Sequence, residues 1–576
     1  MRNVLEVVGR PTARLRIGTA GFGAAGVMAA ALLLSSCTPA EMGAAPSSGG
    51  KSSAAAEAAG GPVGMRRLTQ KQYEQTIADL FGRDIIVGGL FEPDIRDGGL
   101  LAVGAGQVSV AASGVAQYNM TARNIAAQVV DEKNRAVLVG CTPAAANKAD
   151  DACARAFLSR VGKFLYRRPL SEAELQTRVA AAAEATKLRG NFYLGLETSL
   201  ATLLVSPQFL FVQEHTVTDK SGTVRVDPYS KASRLSFFLW NNAPDDELLA
   251  AASRGDLDNP KGLAKQVDRM IASPRLENGV RAFFTDMLEF ERYETLAKDS
   301  TLYPKFNFKV GEEEQEQTLR TITDHLIARN GDYRDLFTTR NTFLTRTLAA
   351  VYEVPLRSIS SGWQRYEFAP EAGHAGILTH ASFVSLHSHP GRTSPTLRGK
   401  ALREALLCQK VPDPPGNVNF AIVQDTTNPN FKTVRQRLNA HATEAMCTGC
   451  HKITDPMGLA LENFDTVGGY RTMENGVKID TSGELDGVKF TDAVSLGKAV
   501  RDSPSTTSCV VNRLYSYGVG RKPTKSEGEW LKTTALKNFE TDGYKIPQLL
   551  KRIATSDTFF RVLPPDAAPA KMASAN

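Results

Sequence analysis

The sequence lacks the motifs by which proteins hold nucleotides or nucleic acids. It contains no phosphate-binding loop, no G-x-G-x-x-G after a strand-like segment and no nucleophile elbow, so nucleotide-dependent chemistry is disfavoured. It also has no basic run, because 68 Lys and Arg residues are scattered among 61 Asp and Glu residues. The net charge is +7, and about +4 without the first 36 residues, which is typical of a solvated surface. We therefore expect neither a nucleotide nor a nucleic acid as a partner.

Segments with the two-residue alternation of β-strands are also scarce. Residues 477–490 are the one candidate, and their glycines predict a small hairpin. No series of alternating strand and helix segments is present, whereas apolar residues at helical spacing are common. Thr69 with Gln72, and Ser171 with Glu174, predict helix starts with capping boxes. The sequence therefore predicts a mainly α protein with at most a small β-hairpin element.

No apolar run near the N-terminus is long enough to span a bilayer comfortably. A basic segment precedes an apolar stretch that is densest over residues 27–34, and Cys37 follows two serines. This pattern resembles the lipobox of bacterial lipoproteins, in which cleavage precedes a cysteine that then receives lipid. An ordinary secretory signal or a membrane anchor is the alternative. We expect a lipoprotein signal peptide at residues 1–36 and lipidation of Cys37.

The lipobox resemblance also predicts the location of the protein. Thr38 provides no inner-membrane retention signal, so we expect a periplasm-facing protein of the cell envelope, with the outer membrane favoured. Residues 37–62 are rich in Ala, Gly and Ser and predict a flexible tether between the lipid and the folded part.

Four of the seven cysteines are disulfide candidates. They are Cys141, Cys153, Cys408 and Cys509, and export would place them where disulfides form. A pair of Cys141 with Cys153 would close a short loop, and a pair of Cys408 with Cys509 a long one. Buried free thiols are the alternative.

Cys447 and Cys450 belong to the sequence C-x-x-C-H, which ends at His451. Two thiols three residues apart can reach one edge of a haem, and the following histidine can then bind the iron. Half of a zinc site, a redox dithiol or a disulfide are alternatives. Zinc needs two further ligands, and a redox dithiol expects a βαβ context that the sequence lacks. The motif therefore predicts one covalent haem c, with His451 as the proximal iron ligand.

The group on the other side of the iron decides the function. A strong ligand there makes an electron carrier, whereas an open position permits peroxide or dioxygen chemistry. His387 and His389 are the favoured candidates because they come from a separate segment, although a polar loop without metal contact is the alternative. His441 is a further candidate, but it lies close to the cysteines along the chain.

The motif and the residues after it carry a resemblance to a known family. C-x-x-C-H, residues 455–465 and Gly469-Tyr470-Arg471 resemble the haem-motif domain of large bacterial proteins built from successive domains of unknown function (DUF1587, DUF1595, DUF1592, DUF1588 and DUF1585). These proteins are common in planctomycetes and are often linked to cytochrome c modules. Further matching segments are residues 67–69, 79–82, 164–170, 204–210, 235–240, 376–379, 392–395, 398–399 and 517–521.

The resemblance implies a mostly helical fold of several modules, but it supplies no reaction. The family pattern has a histidine at His441 and often a methionine where Thr454 stands here. Arg392, Asp455, Glu462 and Arg471 match the family and are expected to hold haem propionates or to pin loops through buried ion pairs.

The motifs also predict how the chain is divided. Helical modules are expected at residues 63–135, 136–199 and 200–360, a haem-motif domain with a cytochrome c-like haem-binding segment at 370–475, and a C-terminal helical module at 476–562. We expect a haem-dependent oxidoreductase that uses peroxide or dioxygen, because one haem needs only a small domain and the remainder can build a substrate cleft. An electron-transfer cytochrome and a scaffold lipoprotein with a non-haem C-x-x-C-H site are the alternatives. The expected partners are a redox protein or small oxidant, and the membrane through the lipid anchor; no catalytic residue is assigned.

Overall fold

The computed structural model describes residues 60–89, 91–220, 222–356, 362–413, 420–443 and 445–563. The chain divides into two units, residues 1–50 and 51–576, and all described residues belong to the second. The expected signal peptide, Cys37 and residues 37–59 of the expected tether lie outside the described residues.

Helices make up most of the described chain. In the first half they span Gln70–Phe81, Leu101–Gly104, Ala112–Val130, Arg135–Leu138, Asp151–Leu165, Glu172–Arg189, Phe192–Leu204, Pro207–Leu210, Pro228–Trp240, Asp246–Ser253, Pro260–Ala272 and Leu276–Met287. In the second half they span Phe308–Thr323, Arg346–Tyr352, Ala381–Leu386, Pro395–Ala401, Ala421–Gln424, Val434–His441, Ala445–Leu459, Ala493–Asp502, Pro504–Val519, Lys525–Trp530, Leu536–Thr541 and Ile546–Ala554.

Shorter helical turns continue or connect these helices. The π-helical turns are Asp324–Ala328, Leu402–Leu406 and Leu531–Ala535. The 3₁₀ turns are Asp256–Asp258, Phe290–Thr295, Tyr333–Phe337, Pro370–Ala372, Ile377–Thr379 and Asp557–Phe559. The predicted mainly α fold class is confirmed.

Local sequence signals determine where two of these helices begin. Thr69 accepts a hydrogen bond from the Gln72 backbone N–H at 3.3 Å, and the Gln72 side chain accepts one from the Thr69 N–H at 3.2 Å. Ser171 and Glu174 make the same reciprocal pair at the start of Glu172–Arg189. Both predicted capping boxes are therefore confirmed, because a capping box depends only on residues three positions apart.

The strands form small two-stranded antiparallel sheets. Among the described residues the pairs are Met65–Arg67 with Phe211–Gln213, Thr216–Thr218 with Val224–Val226, Asn341–Leu344 with Gln364–Glu367, Met473–Glu474 with Val477–Lys478, and Gly483–Leu485 with Val488–Phe490. The last pair corresponds to the hairpin predicted within residues 477–490. Its turn residues Asp486 and Gly487 both have positive φ, as a tight two-residue hairpin loop requires.

Two large apolar clusters form the interior. One joins residues from Leu68 to Phe237, and the other joins residues from Leu100 to Val562. The two ends of the described chain also meet: Gly61 pairs with Val562 in a parallel bridge, and the Leu563 N–H donates to the Gly61 carbonyl at 2.9 Å. In the part of the chain that the structure describes, no helix combines the length and apolarity needed to cross a bilayer.

Candidate functional site

The cysteine motif lies on the helix Ala445–Leu459, which we call the cysteine helix. This helix crosses Pro395–Ala401, the crossing helix, at very short range. A Cβ atom on Gly458 would lie 1.8 Å from the Pro395 carbonyl oxygen, and one on Gly399 would lie 1.9 Å from the Thr454 carbonyl oxygen. Only glycine fits at both contacts. Gly458 and Gly399 therefore set the short distance between the two helices.

Both thiols of the motif are free and are three residues apart on the cysteine helix. Cys447 is buried and Cys450 is half-buried. Residues at this spacing lie on one face of a helix. Gly449, between them, has open space where a Cβ would be, so none of the described residues covers the motif at that position. The thiols are thus placed to meet one partner together.

A carboxylate holds the histidine of the motif. His451 Nδ1 lies 2.7 Å from Asp455 Oδ2, one helical turn further on. The other oxygen of Asp455 accepts hydrogen bonds from Thr396 at 2.8 Å and from Thr454 at 3.2 Å. The hydrogen bond to Asp455 raises the pKa of His451. When the proton is on Nδ1, the lone pair of Nε2 is left for a ligand.

The structure gives little support to the non-haem alternatives. Burial, and then the negative charge of Asp455, raise the pKa of the Cys450 thiol, whereas redox-active cysteines have a lowered pKa. No group of three or more metal-binding side chains lies together among the described residues, so these residues do not complete a tetrahedral zinc site.

His441 is the imidazole next to the motif. Its ring centroid lies 5.2 Å from that of His451, with the two ring planes at 83°. Phe420 stacks on the outer side of His441, with 5.8 Å between ring centroids. The structure therefore places His441 beside His451, the histidine of the motif.

The other candidate histidines have different surroundings. His387 packs on Phe383, and its burial lowers its pKa to about 3. Burial also lowers the pKa of His389 to about 4. Within the described ranges, no hydrogen bond or ring contact joins either residue to His451. The nearby His374 and His380 are buried as well and bond to Thr379 and Thr318.

The donor atoms of the motif fit a c-type haem. They consist of two free thiols one turn apart and an imidazole whose Nδ1 is held by a carboxylate. Two small cavities among the described residues, one lined by His387 and the other by Tyr118, do not include the motif. Residues 414–419, which directly precede Phe420 in the chain, lie outside the described residues. The fit of the motif to a c-type haem thus rests on the two thiols and the imidazole of His451.

Three polar residues in the matched segments, Arg398, Glu462 and Arg471, pin loops. Arg398 is completely buried and donates to the carbonyls of Leu461 and Phe464 at 2.8 and 2.9 Å, directly after the cysteine helix. The buried carboxylate of Glu462 lies 3.4 Å from Arg398 and 2.8 Å from Arg471. No role for Arg398 is predicted from the sequence, because the carbonyls of Leu461 and Phe464 that it bonds are distant along the chain.

Disulfides join Cys141 to Cys153 and Cys408 to Cys509, the two pairings considered from the sequence. The second bridge is relevant to the motif. Cys408 lies four residues before Pro412, whose carbonyl oxygen is 4.0 Å from the Cys450 sulfur. The bridge therefore fixes the segment beside Cys450 to the helix Pro504–Val519.

Sequence models of five families, each described as a protein of unknown function, match successive parts of the chain. DUF1587 matches residues 66–131, DUF1595 153–214, DUF1592 226–354, DUF1588 374–474 and DUF1585 486–559. The chain belongs to this five-module family. No curated protein and no solved structure matches it.

The motif site lies within a single module of the chain. The cysteine helix, the crossing helix and His441 all lie within the DUF1588 match, so the whole motif site is contained in one module. The Cys408–Cys509 bridge joins that module to the DUF1585 module.

Proposed function

We propose that this chain is an exported, lipid-anchored protein that carries one haem c on Cys447 and Cys450, with its iron held by His451. We further propose that it is a haem-dependent oxidoreductase that uses peroxide or dioxygen. The observation that carries the second proposal is the carboxylate of Asp455, 2.7 Å from His451 Nδ1.

The Asp455 carboxylate changes what the imidazole can do. A carboxylate that accepts the Nδ1 proton makes the other nitrogen a stronger donor and fixes the orientation of the ring. When bound, the haem supplies the electron-transfer and oxygen chemistry, and the axial ligand and its hydrogen bonds tune that chemistry. A more basic ligand stabilises oxidised iron, which favours turnover of an oxidant. Thr396 and Thr454 hold Asp455 in place for this role.

Haem attachment is tested with a pyridine haemochrome assay after expression with a cytochrome c maturation system. The full chain should carry one covalent haem, and Cys447→Ala should lose it. The double variant Cys141→Ala/Cys153→Ala is the matched control, because it removes two cysteines outside the motif, and it should keep the haem. Covalent haem in Cys447→Ala, or none in the unaltered chain, contradicts the proposal; the second result leaves the scaffold alternative.

An electron carrier is the second candidate, and His441 is the observation that favours it. An imidazole whose ring lies 5.2 Å from that of His451 is close enough to compete for the second axial position. Carbon monoxide and peroxide difference spectra separate the two functions. Binding of either ligand supports the oxidoreductase, whereas a low-spin spectrum that ignores both supports the electron carrier. In that case His441→Ala should open the iron to carbon monoxide.

The lipid anchor is part of the same proposal. The support is the lipobox-like sequence before Cys37. Metabolic labelling with a radioactive fatty acid should mark the full chain, and Cys37→Ser should remove the label. A labelled Cys37→Ser chain would contradict lipidation at this residue.

A further inference from the structure

The helix Phe308–Thr323 buries a carboxyl group that the proposed haem chemistry does not use. Glu314 is completely buried, and Glu314 Oε2 lies 2.7 Å from the Tyr293 hydroxyl and 2.6 Å from the Ser385 hydroxyl. Its other oxygen, Oε1, is buried and has no hydrogen-bond partner in the part of the chain that the structure describes. An ionised carboxylate with one unpartnered oxygen is costly to bury.

Glu314 has no ion pair among the described residues. Lys298 is the nearest source of positive charge, but its amine donates to the Ser385 carbonyl at 2.6 Å and to the Ser388 carbonyl at 3.4 Å. The other titratable groups facing this region are Tyr352 and Asp465, of which the second adds negative charge. His380 and His387 lie on the neighbouring segment, and burial lowers their pKa to about 3. The charge of a carboxylate would therefore be poorly compensated here.

The hydroxyl groups around Glu314 accommodate a neutral carboxyl better than a charged one. The Tyr293 oxygen lies 3.0 Å from the Ser382 carbonyl, which can only accept, and 2.9 Å from the Ser385 hydroxyl. A protonated Glu314 can donate to Ser385, Ser385 to Tyr293, and Tyr293 to the Ser382 carbonyl, so each proton has an acceptor. An ionised Glu314 would accept the hydroxyl protons of both Tyr293 and Ser385. The Ser382 carbonyl would then receive no proton from Tyr293.

We propose that Glu314, Tyr293 and Ser385 form a buried proton-binding site at the junction of the DUF1592 and DUF1588 modules, which holds a proton near neutral pH and exchanges it with solvent on the Lys298 side. Glu314 belongs to the DUF1592 match, and Ser385 to the DUF1588 match. Lys298 is half-buried and thus connects the site to the surface. The site does not depend on haem.

The direction of the pH dependence follows from burial. Burial raises the pKa of Glu314 to about 7, against the smaller opposing effects of Ser385, Tyr293 and Lys298. A glutamate in the unfolded chain has a pKa of about 4.3. Between these two values the folded chain binds more protons than the unfolded chain, so stability falls as pH rises and levels off above the folded pKa. The junction is therefore expected to be weakest above neutral pH.

The test compares Glu314→Gln with Glu312→Gln, an exposed glutamate on the same helix. Infrared difference spectra of the full chain between about pH 6 and pH 8 should show a neutral carboxylic acid that titrates. The band should be absent in Glu314→Gln and present in Glu312→Gln. In urea unfolding, Glu314→Gln should lose at least half of the change in midpoint between the two pH values, whereas Glu312→Gln should keep it.

A second pair of variants keeps the test decisive if Glu314→Gln does not fold. Lys298→Met removes a positive charge that favours the carboxylate, so the titration midpoint of the band should move to higher pH, while Lys298→Arg should leave it near the original value. The proposal is overturned if the unaltered chain shows no titrating carboxylic acid, if Glu314→Gln keeps the band, or if Lys298→Met does not move the midpoint.

Discussion

At the scale of single residues, Asp455 connects His451 of the motif to the crossing helix. One of its oxygens bonds His451, and the other accepts from Thr396 on the crossing helix and from Thr454. The Thr454 hydroxyl also lies 3.0 Å from the Cys450 carbonyl, so its one proton is shared between that carbonyl and Asp455. Thr454 therefore connects the backbone of Cys450 to the carboxylate that orients His451.

If the chain carries the proposed haem, Asp455→Asn should keep it but weaken its chemistry, because asparagine retains the shape of aspartate and loses the negative charge beside His451. We expect the reduction potential to become more positive and peroxide turnover per haem to fall about 10–100-fold, as for other partners of metal-bound histidines. Potentiometric titration and a peroxide assay measure the two effects. Asp413→Asn, an exposed carboxylate on the neighbouring segment, is the control. An unchanged potential in Asp455→Asn would refute the role.

At the scale of elements, the crossing of two helices positions the site. Backbone meets backbone at Gly399 and Gly458, and Arg398 then bonds the carbonyls that follow the cysteine helix. The helix start at Ser394 and Pro395 is local, since the Ser394 side chain accepts from the Leu397 N–H at 3.3 Å. Local capping thus aligns the crossing helix, and the two glycines determine its distance from the motif.

Two alanine substitutions on the cysteine helix test this arrangement. At Gly458 a Cβ would strike the Pro395 carbonyl, so Gly458→Ala should lower the free energy of unfolding by about 2–3 kcal/mol, the usual cost of overpacking. At Gly449 a Cβ meets nothing within 4 Å, so Gly449→Ala should stabilise the helix by about 0.5–1 kcal/mol. Urea unfolding measures both effects. Equal effects at the two positions would show that the close contact of Gly458 with Pro395 does not require glycine.

The same elements show what could be predicted from the sequence. The Thr69–Gln72 capping box and a small hairpin within residues 477–490 depend on neighbouring residues, so the sequence was sufficient to predict both. The arrangement around His451 was harder to predict from the sequence. His441 was given less weight than His387 because it is close along the chain, but the turn between Val434–His441 and the cysteine helix brings its ring beside His451. The carbonyls of Leu461 and Phe464, to which Arg398 donates, lie more than 60 residues away along the chain, and no local pattern reveals these contacts.

At the scale of the whole molecule, the modules share their interior. The larger apolar cluster runs from Leu100, in the DUF1587 match, to Val562 beyond the DUF1585 match. The strand Met65–Arg67 pairs with Phe211–Gln213 across the first two modules. The apolar interior is therefore continuous across the sequence boundaries between modules.

The two disulfides should differ in their contribution to stability. The Cys408–Cys509 bridge spans 101 residues and the Cys141–Cys153 bridge spans 12. Loop entropy predicts that Cys408→Ala/Cys509→Ala costs about 4–5 kcal/mol and Cys141→Ala/Cys153→Ala about 3 kcal/mol. Urea unfolding without reductant measures both, with non-reducing peptide mapping to verify each bridge. A larger loss from the short loop would contradict the entropic account.

The pairing of Gly61 with Val562 and Leu563 has a mechanical consequence. Paired segments that run in the same direction slide past each other when one is pulled from its start and the other from its end. A force applied to the two chain ends would therefore load this clasp in shear before it reached the modules, and its hydrogen bonds would bear the load together. Gly60 lies directly against the Arg561 backbone, which adds contact where the force would act. If Cys37 carries lipid as proposed, this pairing would protect the cysteine helix from tension on the anchored end until the pairing opened.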